Sequence, residues 1–246
     1  MKTIKPLFLT TLLGFSSYAF AGIGVNFEAG AAFSQLSNSQ YLSPITGLEN
    51  SYSANEAVQI EPFVGLGAEY DFAHLVPMPF SFGLGLSAYY IDLGTISGTE
   101  TPGINQRLTA PLDYSMSNQS LALMVEPKII YTAYRLQPYV FGGIGCAWNT
   151  LGDYTETVPS GSTAVPADNL YGSHTEANFA YEAGAGVQYA LWRSRADQHL
   201  FLRAEYRYFN LGQSQLNAAV GQGTNDRMSV NSATNIIDLG LDYQFE

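Results

Sequence analysis

Apolar residues recur at every second position along most of the chain. From the start of the pattern, Ile23, Val25, Phe27, Ala29, Ala31 and Phe33 alternate with Gly24, Asn26, Glu28, Gly30, Ala32 and Ser34. Side chains of an extended strand point alternately to opposite faces, so one face is oily and the other polar or small. The same dyad returns in seven further segments, near 58–72, 80–90, 121–133, 136–149, 179–191, 200–208 and 237–245. Across 136–149 it blurs, although Val140, Ile144, Cys146 and Trp148 keep one parity. No helical period of apolar residues persists after Gly22. The pattern predicts an all-β chain of eight strands.

The connections alternate in length. Residues 35–56, 92–118, 150–176 and 210–232 are long, polar and rich in Ser, Thr, Asn, Gly and Pro, whereas 73–79, 134–137 and 192–199 are short. A transmembrane β-barrel has short periplasmic turns and long extracellular loops, and an even strand number places all the long loops on one side. The polar face carries mostly Gly, Ala and Ser with occasional charges, which suits the narrow interior of eight strands. A soluble sandwich would cover its solvated face with Lys, Glu and Thr. In lipid every backbone amide must be bonded internally, so strands can cross only as a closed barrel. The expectation for residues 22–246 is an eight-stranded antiparallel up-and-down transmembrane β-barrel. Aromatic residues support it. Phe72, Phe80, Tyr131, Tyr189, Trp192, Tyr243 and Phe245 fall near the short turns, and Phe33, Tyr90, Trp148, Phe179 and Tyr208 near the long loops. Two such girdles mark the two membrane interfaces.

Composition narrows the class. Only 13% of the 246 residues are charged, and the net charge is −11 with ten Lys and Arg. A nucleic-acid partner, which demands cations to displace counterions, is not expected. Lys2 and Lys5 precede an apolar run from Leu7 to Phe15, and Ala19-Phe20-Ala21 forms a small–x–small site before Gly22. Residues 1–21 therefore read as a secretory signal peptide cleaved between Ala21 and Gly22. The run is shorter than the roughly 20 apolar residues that span a bilayer as a helix. Cys146 is the only cysteine, so no disulfide framework is available, and its apolar setting reads as packing.

Candidate chemistry lies on the inward parity. Glu28, Glu61, Glu69, Asp71, Glu126, Glu182, Glu205, Asp238 and Asp242 share that face with Lys128, Arg203 and Arg207. Buried charges are costly unless paired, so ion pairs are expected among Glu28, Glu126, Lys128, Glu182, Arg203, Glu205, Arg207, Asp238 and Asp242. Arg203 and Arg207 should meet Glu182 on one neighbouring strand and Asp238 or Asp242 on the other. The surplus of acids leaves a cation-preferring path as the alternative to a plugged lumen. The loop segments are acidic too, with Glu49, Glu56, Glu100, Asp113, Asp153, Glu156, Asp168 and Asp226 against Arg107 and Arg227. That balance disfavours polyanion ligands. His74, His174 and His199 share no strand face with a Ser and an acid near the outer rim, so no catalytic site is expected. No cluster has metal-ligand spacing, and neither metal nor cofactor is expected.

The last strand carries a resemblance. Ile237, Leu239, Leu241, Tyr243 and Phe245 look like the terminal signal by which the outer-membrane assembly machinery recognises its clients, here followed by Glu246. Together with strands of the type "PFVGLGAEY", the layout of residues 22–246 resembles the OmpA-like and opacity-type eight-stranded surface proteins of bacterial outer membranes. The resemblance implies outer-membrane lipids and the assembly machinery as partners, and a salt-bridged core of the kind that plugs small barrels. It implies a structural, adhesive or antigenic role, with host or surface ligands met through the loops. A small-solute or cation channel is the alternative, and a lipid-modifying enzyme ranks behind both. The peptidoglycan-binding domain of larger OmpA-like members is not expected.

Overall fold

The computed structural model describes residues 22–35, 39–45, 47–72, 79–106, 110–163, 171–193, 198–218 and 226–245. Residues 1–21, read as the signal peptide, lie outside them. Among the described residues twelve strands are formed: β1 Gly22–Gln35, β2 Ser39–Ile45, β3 Leu48–Ala54, β4 Val58–Phe72, β5 Phe80–Thr101, β6 Leu112–Tyr131, β7 Leu136–Thr157, β8 Tyr171–Gly172, β9 His174–Arg193, β10 Gln198–Gln215, β11 Asn217–Ala218 and β12 Ser229–Phe245. Eight of them close a ring. β1, β4, β5, β6, β7, β9, β10 and β12 pair antiparallel in that order, and β12 returns to β1 from Ile23↔Phe245 to Ser34↔Thr234. Closure removes the sheet edge, which is what allows strands to cross a membrane.

The alternation seen in the sequence sets the outward face. Leu66, Leu84, Leu86, Leu121, Val140, Tyr206 and Leu239 all point out and lie at least 40% exposed. Cys146 is outward too, so its apolar setting is the belt's surface rather than a packed interior.

Several strands run far beyond the belt, into segments whose composition reads as loop. β5 continues to Thr101, β6 begins at Leu112, β7 continues to Thr157 and β9 begins at His174. A strand crosses a bilayer in about 9–11 residues at a tilt near 45°. The ten or so residues of β5 above Ile91 therefore carry the barrel roughly 20 Å further. Within the first long connection, β2 and β3 form a hairpin that joins the wall through Ser51↔Thr101 to Ala54↔Gly98.

Bulges mark the passage between the two halves. Register shifts occur at Asp92/Gly94, Ser115/Ser117 and Asn210/Gln213. Gly94 and Gly212 have φ of 90° and 82°, and Asp153 reaches 54°. Glycine adopts that region freely and Asp more readily than most residues, so the extra residue is accommodated there. Each bulge shifts the inward parity by one. On β5, Ile91 and Leu93 face in below the bulge and Ile96 and Glu100 above it.

The barrel also inverts its polarity at this level. Below it, the outside is apolar and the interior charged. Above it, the outward residues are Thr95, Asp113, Asp153, Thr155 and Gln213, while Ile96, Met116, Leu151, Leu211, Met228 and Val230 pack inside. The extracellular half is thus filled by a hydrophobic core that is continuous with Phe63, Tyr89 and Phe209 at the membrane level.

Where wall strands part above the bulges, side-chain amides replace ladder bonds. β4–β5 pairing ends at Phe63↔Ile91. Above it, Gln59 Oε1 accepts from Thr95 N at 2.7 Å and its Nε2 donates to Thr95 O. Gln40 pairs likewise with Ser229, donating to its carbonyl at 2.7 Å and accepting from its N–H at 3.1 Å. Between β9 and β10, Asn178 Nδ2 donates to Gln213 O at 2.7 Å.

Candidate functional site

The membrane-level lumen is filled by two arginines and their partners. Arg207 on β10 lies at the centre, 1% exposed. Its Nη2 meets Glu28 Oε2 at 2.6 Å and Glu205 Oε2, its Nε meets Asp238 Oδ2 at 3.2 Å, and its Nη1 faces Glu182 Oε2 at 3.3 Å and Glu126 Oε1 at 3.5 Å. Nη1 also donates to Tyr89 Oη at 2.7 Å. Phe63, Tyr89, Phe141 and Phe209 surround the guanidinium, with centroids 4.9–5.9 Å from its carbon. A planar cation with five donors is the side chain that suits such a carboxylate ring. Glu28, Glu205 and Asp238 bring ligand atoms within 4.8 Å of one another. Each of the three is bonded to Arg207, so the chain supplies the cation itself.

Arg203 makes the layer below. Its Nη2 meets Glu69 Oε2 and Asp242 Oδ2, each at 2.6 Å, and its Nη1 lies 3.9 Å from Glu28 Oε1. Lys128 Nζ reaches the same Glu69 oxygen at 2.7 Å. The expected pairing of Arg203 with Glu182 is not made; Glu182 meets Arg207 instead. The cause is the stagger of β9 against β10, which sets Arg203 opposite Gln188 and brings Arg207 opposite Gly184, beside Glu182. Glu126, assigned to the ion-pair set, is bonded mainly by the hydroxyls of Ser87 and Tyr89.

Two kinds of residue escape the sequence reading. Glu69 faces inward by parity yet lies outside the expected pair set, although it binds both Arg203 and Lys128. The inward aromatics Phe63, Tyr89, Tyr139 and Phe141 break the rule of oil outside and polar inside, and the last two are why alternation blurs near 136–149. Glycines opposite them are the readable signal. A Cβ on Gly65 would lie 2.6 Å from the Tyr89 ring, one on Gly184 2.3 Å from Phe141, and one on Gly186 2.6 Å from Tyr139.

A second polar cluster lies in the extracellular half. Glu100, expected in a loop, is instead an inward residue of β5, 1% exposed. Its Oε1 accepts from Asn50 Nδ2 at 2.6 Å and Tyr52 Oη at 3.0 Å. Tyr154 Oη lies 3.2 Å from Glu100 Oε2 and 2.9 Å from Glu156 Oε1. Burial, and then the nearby Glu156 carboxylate, push the Glu100 carboxyl up to about 7. Tyr114, packed edge-on against Tyr52, is raised to about 12 by burial and by Glu100.

The two described histidines are dispersed. His174 opens β9 and contacts Asn217 Nδ2 at 3.0 Å, and His199 stands at the opposite end beside Phe201. His74 lies outside the described residues. The assembly-signal positions Ile237, Leu239, Leu241, Tyr243 and Phe245 line the outer face of β12, and Phe245 pairs with Ile23 to close the barrel.

A closed antiparallel ring with an apolar belt and a charged interior agrees with the family comparison, in which the description "Outer membrane protein beta-barrel domain" matches residues 7–245. The chain belongs to this family. It is an outer-membrane β-barrel. Among solved structures it is similar to Neisserial surface protein A, at 14% identity, covering 90% of this chain and 97% of that one with a TM-score of 0.40. It is also similar to the outer membrane protein OprG from Pseudomonas aeruginosa, at 13% identity, 94% and 98% coverage and a TM-score of 0.44. The outer membrane protease OmpT from Escherichia coli aligns at 10% identity, 91% and 97% coverage and 0.42. These likenesses carry no inference about activity. A search of curated proteins returns no match.

Proposed function

We propose that this outer-membrane barrel is a non-enzymatic surface-display protein that makes adhesive or antigenic contacts through the tips of its extracellular half. The observation that carries the reading is that the hydrophobic core continues above the membrane, from Phe63, Tyr89 and Phe209 beside Arg207 up to Ile96, Met116 and Met228. Loops that only needed to close a barrel would require no such core. A packed extension holds the β2–β3 hairpin and the described residues 102–106 and 158–163 away from the lipid surface and limits their motion. Pre-organised loops lose less entropy on binding. The filled lumen favours this over a channel, because Arg207 and four rings occupy its centre.

The test is attachment of cells displaying the protein. Replacing 102–111 and 158–170 by short Gly-Ser linkers should abolish attachment while heat-modifiable gel mobility stays unchanged. Equal attachment by folded wild type and loop variant would overturn the proposal, and cation conductance in planar bilayers would favour the channel. The terminal strand is proposed as the assembly signal. Phe245→Ala should therefore lower folded yield in cells more than removal of Glu246 does, and equal yields would reject that role.

A further inference from the structure

The lipid-facing wall is not uniformly filled. Near the short-turn end a shallow apolar groove of about 350 Å³ crosses β5, β6, β7 and β9, lined by Phe80, Ile129, Tyr131, Pro138, Val140 and Ala185. Its volume falls in the range of small-ligand pockets, roughly 300–1,000 Å³. The local sequence explains the depression. Val140 pairs with Ile129 on one side and Ala185 on the other, and Ala185 is too small to cover the wall beside Pro138.

Charge stands at its periplasmic lip. Arg135 is exposed in the turn that enters β7, and its guanidinium carbon lies 5.6 Å from the centroid of the Tyr189 ring. The strand begins at the next residue, Leu136, and Pro138 in the groove lies three residues on from Arg135, roughly 10 Å along an extended chain. Tyr131 of the groove touches Tyr134, the neighbour of Arg135, with centroids 6.0 Å apart. Apolar channel, aromatic collar and fixed cation follow one another in the order acyl chain, glycerol and phosphate of a lipid.

We infer that this groove is a specific site for one anionic phospholipid of the inner leaflet, with an acyl chain along Val140 and Ala185 and its phosphate against Arg135. The occupant follows from position and charge. The groove opens to hydrocarbon, and the short turns face the periplasm, so the inner leaflet supplies the chain. The cation selects an anionic head. Stacking on Tyr189 holds the guanidinium in place and limits the entropy lost when it binds phosphate.

Native mass spectrometry of the detergent-folded full chain, titrated with phosphatidylglycerol or phosphatidylcholine, tests this. Wild type should retain one phosphatidylglycerol in preference to phosphatidylcholine. Ala185→Phe, which fills the groove from the outward face, should weaken retention at least tenfold. Arg135→Gln should lower phosphatidylglycerol retention to the phosphatidylcholine level while sparing the latter. Heat-modifiable mobility checks folding, and Val140→Phe replaces Ala185→Phe if the latter does not fold. Equal retention by wild type and the filled variant overturns the site. Sedimentation showing a wild-type dimer that Ala185→Phe dissociates would assign the groove to a second copy and likewise overturn it.

Discussion

Arg203 and Glu69 meet across the lumen at 2.6 Å, although 134 residues separate them and their strands are not neighbours. The contact spans β12 and β1, and the same Glu69 oxygen also accepts from Lys128. Removing Arg203 would leave Glu69 with one cation and Asp242 with none. Arg203→Ala is expected to cost about 3–5 kcal/mol, the usual loss when one partner of a buried pair is deleted. A double-mutant cycle in guanidinium titrations should give a larger coupling for Arg203 with Glu69 than with Glu182. A larger Glu182 coupling would contradict the geometry.

Gly184 leaves room for the Phe141 ring under Arg207. Gly184→Val should lower stability by about 1–3 kcal/mol through overpacking. Phe141→Ala in the same background should recover part of the loss. If the two changes simply add, the glycine and the ring do not compete for the same space.

The extracellular half should loosen as pH rises. Glu100 titrates near 7 in the folded chain against an ordinary 4.5. Between those values the folded protein keeps a proton that the unfolded chain releases. Stability from this group is therefore present at low pH and lost as pH climbs through 4.5–7. Asn50, Tyr52, Tyr114, Tyr154 and Glu156 face it, and none supplies a cation. Limited proteolysis should be slower at pH 5 than at pH 8, and Glu100→Gln should remove most of the difference. An unchanged difference in that variant would point to another group.

One substitution, placed below and above the bulge of β5, separates its two halves. Leu84→Arg puts a cation in hydrocarbon and should cost about 2–4 kcal/mol. Thr95→Arg, on the outward face above the bulge, should be tolerated within about 0.5 kcal/mol. Equal losses in micelle titrations would mean that the belt extends past Tyr90.

The membrane half was readable because its outward residues keep strict parity over eight strands. Leu84, Leu86 and Tyr90 are examples, and closure followed because strands in lipid must bond every backbone amide internally. The upper half was not readable, for two physical reasons. Bulges at Gly94 and Gly212 shift parity by one, which breaks the dyad. The sense of the dyad then reverses, with Thr95 outward and Ile96 inward, so strands carrying Ser, Thr and Asn look like loops. Within the lumen, parity placed the charges but not their partners. Arg203 has a long side chain and the strands are staggered, so its contacts depend on depth along the axis.

The reversal of polarity at the bulges also fixes the depth at which the protein floats. If the barrel sank by one residue pair, Thr95 and Thr155 would enter hydrocarbon. If it rose by the same amount, Tyr90 and Trp148 would leave the interface for water. Both displacements are opposed along β5 and β7, so the barrel has a waterline written into that part of its wall. The height of the extracellular tips above the lipid then becomes a constant of the fold. A partner on a facing surface would meet them at a set distance, whatever the thickness of the surrounding bilayer.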